Sequence, residues 1–139
     1  MSNTKKIVIS LENISFSYGE NFELKDISLY VEEGTFFGII GPNGSGKTTL
    51  LSLIMKFLKP ASGKIMINGN DIKHMSHKKI AQNIAYIAQD FNPSYDYTVE
   101  EIVEMGGIAH SKNFFDTEVD ESKLINALNT VNLVEYRKR

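Results

Sequence analysis

Hydrophobic and polar positions alternate with a period of two through the first third of the chain: Ile7 and Ile9, then Ile14, Phe16 and Tyr18, then Ile27, Leu29 and Val31. That period predicts half-buried antiparallel strands, with turns at Tyr18-Gly19-Glu20-Asn21 and Glu32-Glu33-Gly34. Alternation stops at residues 35–40 (TFFGII), a β-branched and aromatic run of the kind found in a strand covered on both faces. From Thr49 onward, apolar side chains at 50, 51, 53, 54, 55, 57 and 58 ring almost the whole wheel, which predicts a helix over 49–58 enclosed by other elements. Lys59-Pro60-Ala61-Ser62-Gly63 ends it. Residues 64–68 alternate again into a turn at Asn68-Gly69-Asn70, Ser76 is placed to cap a short helix through Ala81, and residues 84–88 form a second apolar strand. Strand, loop, helix and strand in succession predict an α/β core.

The texture changes from Asn92. Thr98-Val99-Glu100-Glu101 has the spacing of a capping box, with Ile102, Val103 and Met105 after it, so a helix is expected to start there and to end near Gly106-Gly107. Leu124, Ile125, Leu128 and Val131 predict another helix. The expected organisation is therefore a β-rich part with an α/β core over about residues 1–91, and a helical lobe over about 92–139.

Composition narrows the function classes. The 139 residues are 42% hydrophobic and 23% charged, ordinary for a globular domain. No run approaches the ~20 apolar residues of a spanning helix, so direct membrane insertion is not expected. The chain has no cysteine, which removes disulfides and thiolate metal sites and is easiest to accept in a reducing cytoplasm. A net charge of -2 offers no general attraction to nucleic acid, and the basic clusters Lys73-His74 and His77-Lys78-Lys79 read as solvated helix surface.

The chemistry is concentrated in Gly41-Pro42-Asn43-Gly44-Ser45-Gly46-Lys47-Thr48-Thr49, which matches the phosphate-loop pattern GxxxxGK[S/T] in full, after an apolar run and before a predicted helix. Glycines at 41, 44 and 46 let the backbone turn its N–H groups inward as a nest for oxyanions, and the following helix adds the positive end of its dipole. Lys47 is expected to reach the β- and γ-phosphates, and the Thr48 hydroxyl to ligate Mg²⁺.

GPNGSGKTTLL closely resembles the phosphate loop of ABC-type ATPases. The resemblance implies an α/β P-loop NTPase core with an N-terminal antiparallel β subdomain, and it extends to other motifs in the order this family has them. Phe16-Ser17-Tyr18-Gly19 is similar to its aromatic loop, in which Tyr18 would stack on adenine; Phe16, two residues earlier, is expected to pack inward with Ile9 and Ile14. The run Ile84-Ala85-Tyr86-Ile87-Ala88-Gln89 resembles the strand into its glutamine loop, where Gln89 would touch Mg²⁺ and the attacking water; the family often has Pro where Ala88 stands. The resemblance implies ATP and Mg²⁺ as cofactors, membrane-spanning subunits as partners near residues 90–110, a homodimer in the complete family member, and a place at the cytoplasmic face of the membrane. Thr98, Val99, Val103, Gly106 and His110 further resemble importers of iron-siderophore, haem and cobalamin type, with Gly107 and Ala109 departing from the usual Arg and Pro.

Other parts of that machinery do not appear in these residues. Phosphoryl transfer needs a carboxylate for Mg²⁺ and a group that orients water, which this family supplies as an Asp-Glu pair ending an apolar strand. Residues 65–67 lead instead into Asn68-Gly69-Asn70-Asp71, residues 84–88 lead to Gln89-Asp90, and Leu133-Val134-Glu135 is too short. No LSGGQ-type signature or switch histidine follows. The resemblance spans about residues 11–136 but only the first half of the family's domain. The expectation is a truncated domain that binds MgATP with little or no hydrolysis; the alternative is a nucleotide-responsive interaction module with no catalysis.

Overall fold

The structure is a computed structural model and describes residues 5–20, 22–89, 95–110 and 120–139. Its first compact unit, Met1–Ile84, is built on a four-stranded antiparallel sheet in the order β2-β1-β3-β4. These strands are β1 (Ile7–Ser17), β2 (Glu23–Glu32), β3 (Ser62–Ile67) and β4 (Asn70–Asp71). Leu11 stands opposite Leu29 on β2 and Ile65 on β3, so alternate apolar residues meet across the ladders.

The alternation of β1 changes phase between Leu11 and Ile14, and the register shifts at the same place on both sides. This is a bulge. Asn13 turns to φ 50 there, and Asp26, at the next register shift with β2, also turns to φ 50. The amides that leave the ladder are recovered by serines: Asn13 N–H donates to Ser28 Oγ at 2.9 Å, and Asp26 N–H to Ser15 Oγ at 3.2 Å. Gly63, at φ 88, lies against the bulged strand, and a Cβ there would fall 2.4 Å from the Asn13 carbonyl oxygen and 2.5 Å from that of Glu12. Only glycine fits between those backbones.

Helix α1 (Lys47–Ile54) lays Leu50, Leu53 and Ile54 on this sheet. They join Leu11, Ile14, Leu24, Ile65, Ile67, Ile72, Met75 and Ile80 in one core. The helix is shorter and less enclosed than its pattern predicts, ending before Lys56 at φ 59 and leaving Leu51 and Phe57 exposed. Lys56 Nζ then donates to the carbonyl oxygens of Met75 at 2.7 Å and Lys73 at 3.2 Å, tying the helix end to the turn after β4. Helix α2 (His77–Ala81) is capped by Ser76 Oγ, which accepts from Lys79 N–H at 3.1 Å.

Two expected strands do not form. Residues 35–40 and 84–88 join no ladder, and Phe36, Ile40 and Ile87 are almost wholly exposed. The physical reason is pairing: a strand covered on both faces needs neighbours on each edge for its amides, and no described residue supplies one here.

The second unit, Ala85–Arg139, contains α3 (Val99–Gly107) and α4 (Glu121–Thr130). The capping box is present: Glu101 Oε2 accepts from Thr98 N–H at 2.7 Å, and Thr98 Oγ1 accepts from Glu101 N–H at 3.4 Å. Two more first-turn amides of α3 go to the end of the chain, Glu100 N–H to the Arg137 carbonyl at 3.1 Å and Val99 N–H to the Arg139 carbonyl at 2.9 Å. The Arg137 guanidinium bonds Glu100 and, through Nη1 at 2.5 Å and Nη2 at 3.1 Å, Glu121, while Lys138 also pairs with Glu100. Leu124 and Leu128, one turn apart on α4, are the buried side chains of this unit among the described residues. No helix among the described residues is long and apolar enough to cross a membrane.

Candidate functional site

The glycine-rich loop connects residues 35–40 to α1 and rests on the sheet end of the core. Gly44 at φ 82 and Gly46 at φ 90 give it the left-handed steps that a nest of amides requires. Gly46 is also the N-cap residue of α1, and no side-chain carboxylate or hydroxyl caps the helix start, so none competes there for the first-turn donors.

Lys47 turns back over the loop, and its Nζ donates to the carbonyl oxygens of Gly41 and Pro42, both at 2.8 Å. Ser45 N–H donates to the same Pro42 oxygen at 3.3 Å, closing the turn. The ammonium is therefore held at the mouth of the loop by two carbonyls, with its third proton unassigned to either. Gly41 is constrained from inside the loop: a Cβ there would fall 2.8 Å from Ser45 Oγ. Thr48 is exposed at the helix start and Thr49 half-buried beside it; Asn43 and Gly44 form the exposed tip.

Tyr18 lies at the end of β1 with 62% of its surface exposed. Its ring meets Phe16 edge-on at 4.7 Å and 87°, and Phe22 at 5.7 Å and 48°. Phe16 packs against the core, as its alternation with Ile14 predicts, and so does Phe22. The ring of Phe22 reaches the loop. A Cβ on Gly46 would fall 2.9 Å from Phe22 Cζ and 2.6 Å from Leu24 Cδ2, so these two side chains occupy the space that a larger residue at 46 would need. Sequence reasoning passed over Phe22 and Leu24, although an aromatic directly after the Tyr18 turn was a signal available to it.

Gln89 is exposed and belongs to the second unit. Of the region expected to meet membrane subunits, residues 90–94 lie outside the described residues, while Met105, Ile108, Tyr95 and Tyr97 are exposed apolar or aromatic side chains within it. Among the described residues no group of three or more His, Cys, Asp or Glu is placed to hold a metal ion.

A glycine nest, a lysine at its mouth and an uncapped helix behind it define a P-loop, the phosphate-binding element of nucleotide-binding proteins. Residues 24–139 match the family model described as ABC transporter, and the chain belongs to that family. It is 30% identical to the petrobactin import ATP-binding protein FpuC of Bacillus anthracis over 95% of this chain and 49% of that protein. It is 34% identical to the ferric enterobactin transport ATP-binding protein FepC of Escherichia coli over 74% of this chain and 38% of that protein. Among solved structures, a nucleotide-free ATP-binding cassette from an ABC transporter superposes with a TM-score of 0.79 at 28% identity, covering 96% of this chain and 57% of that one. The fold is thus the ABC-type P-loop ATPase fold, with its antiparallel β part and helical elements. The chain spans from about a fifth to about half the length of the curated relatives it matches, 21% of one and 49% of another.

Proposed function

We propose that this chain binds MgATP as the nucleotide-holding part of an ABC transporter ATPase that energises solute import. The observation that carries the reading is the loop at 41–48, whose lysine is bonded to the Gly41 and Pro42 carbonyls at 2.8 Å and whose helix start has no side-chain cap. Incoming phosphate oxygens offer Lys47 a full negative charge in place of two carbonyl dipoles, a stronger class of hydrogen bond. The amides of Gly44 to Thr48 and the dipole of α1 would hold the β- and γ-phosphates, and Tyr18 would stack on adenine. Bound Mg²⁺ would neutralise charge between the phosphates. In this reading Thr48 Oγ1 would hold it at the loop, and in the complete protein Gln89 would supply a further oxygen ligand and orient the attacking water.

The imported solute is an iron-siderophore, haem or cobalamin-type compound. Support comes from the run between Thr98 and His110 and from the relatives named for petrobactin and ferric enterobactin. Membrane-spanning subunits dock near residues 90–110, a homodimer forms in the complete protein, and the site lies at the cytoplasmic face of the membrane.

These 139 residues hold nucleotide without turning it over, because they offer no Asp-Glu pair at the end of an apolar strand. Calorimetry of the wild-type chain and of Lys47→Ala tests the site: the variant is expected to lose about 10- to 100-fold in MgATP affinity, the worth of one charge-assisted bond set. Equal affinity would remove the assignment. Phosphate release by the purified chain is expected at background, and vigorous turnover would overturn the division between holding and cutting.

A further inference from the structure

We propose that Phe22 is a positioning residue that joins the two ends of the nucleotide site, holding the ring of Tyr18 on one side and the bend of the phosphate loop at Gly46 on the other. The inference rests on the nucleotide reading above and adds to it a residue that no part of the loop motif contains.

At the base end, Tyr18 is more than half exposed, and a free exposed ring would lose rotamer freedom on stacking against a ligand. Two contacts remove that freedom beforehand. Phe16 meets the ring edge-on from the strand, and Phe22 meets it at 5.7 Å across the turn. The Tyr18 N–H also donates to the Phe22 carbonyl at 3.2 Å, so backbone and side chain of residue 22 both fix residue 18. The ring is thus oriented before a ligand arrives, with most of its surface still exposed.

At the phosphate end, Gly46 is the left-handed residue from which the loop becomes helix. Phe22 Cζ and Leu24 Cδ2 fill the flank of its Cα, within 3 Å of where a Cβ would lie. Removing the ring opens space beside the one residue whose φ of 90 sets the direction of the following amides. Leu24 is a buried member of the core on the same flank. Phe22 is the side chain shared by both ends.

The test titrates the 139-residue chain with MgATP and, separately, with magnesium tripolyphosphate, which lacks a base. Tyr18→Ala is expected to weaken ATP about tenfold, the low end for one stacked base, and to leave tripolyphosphate unchanged. Phe22→Ala is expected to weaken both ligands. Phe22→Leu keeps bulk against Gly46 and loses the aromatic contact, so it should restore tripolyphosphate affinity but not ATP affinity. A merely structural role would lower both ligands together in each variant, in step with the loss of thermal stability, and that outcome overturns the proposal. So does unchanged tripolyphosphate affinity in Phe22→Ala. Should Phe22→Ala fail to fold, Phe22→Leu decides alone: weaker ATP with intact tripolyphosphate supports the proposal, and both ligands intact defeats it. Equal ATP affinity in wild type and Lys47→Ala would defeat the nucleotide reading itself, a different failure from any of these.

Discussion

The two compact units are held by different physics. Among its described residues Met1–Ile84 closes eleven buried apolar side chains between the sheet, α1, α2 and the turn before α2, with further hydrophobics packed around them. Ala85–Arg139 buries Leu124 and Leu128 among its described residues and depends on charge: a capping box, two backbone bonds to the start of α3, and Arg137 shared between Glu100 and Glu121. The first arrangement is non-directional and does not depend on charge pairs that salt screens, so it suits a loop whose amides must stay in place. The second is directional and screened, so it tolerates rearrangement. In this chain the phosphate loop stands on the apolar unit.

That contrast can be broken most forcefully in the sheet unit. Leu53 is completely buried under the sheet, and Leu53→Ala should cost about 3 kcal/mol through lost transfer energy and a cavity, read as faster amide exchange throughout β1 and β3. Gly63→Ala is expected to cost about 2 kcal/mol by driving a Cβ into the backbone of the bulge, and the lowered melting temperature should not be recovered by high salt. Unchanged melting would mean that the bulge at Asn13 is not where β1 and β3 approach.

In the helical unit the expected effects are smaller and depend on conditions. Arg137→Gln removes the link between Glu100 and Glu121, and amide exchange at the start of α3 should speed up at low salt and respond less to added salt than in wild type. Acid should act on the same unit. Glu100 is held below its ordinary 4.5 by Lys138 first and Arg137 second, and Asp120 is lowered from 3.8 to about 2 by Ser122 and Lys123. A carboxyl whose folded pKa lies below its unfolded one stabilises fully above the unfolded value and loses that contribution as pH falls through the folded value. Helicity at the ends of α3 and α4 should therefore be flat above pH 4.5 and decline toward pH 2, shifting upward in Arg137→Gln. A decline in β1 and β3 over the same range, with α3 unaffected, would reverse the comparison.

The elements that sequence reasoning located correctly are those whose cause is local. The alternation of β1 and β2, Ser76 before α2, the Thr98 capping box and the glycines of the phosphate loop each bring their own partners within a few residues. The strands expected at 35–40 and 84–88 depend on neighbours elsewhere, and an apolar run carries no information on whether its edges will be paired. The length of the helix over 49–58 was misjudged for a related reason: seven apolar positions do not say which will be covered.

By itself, then, the sequence determined the antiparallel hairpin, the left-handed glycine turn before α1, and the capped starts of α2 and α3, because short-range sterics and hydrogen bonds settle those choices. Only the tertiary structure decided that Gly63 must slip beneath the Asn13 bulge, that Arg137 returns to cap the start of α3, and that Phe22 spans from Tyr18 to Gly46. These contacts join residues from 4 to 50 positions apart along the chain. Their partners are selected by the packing of the whole unit, which no local pattern encodes.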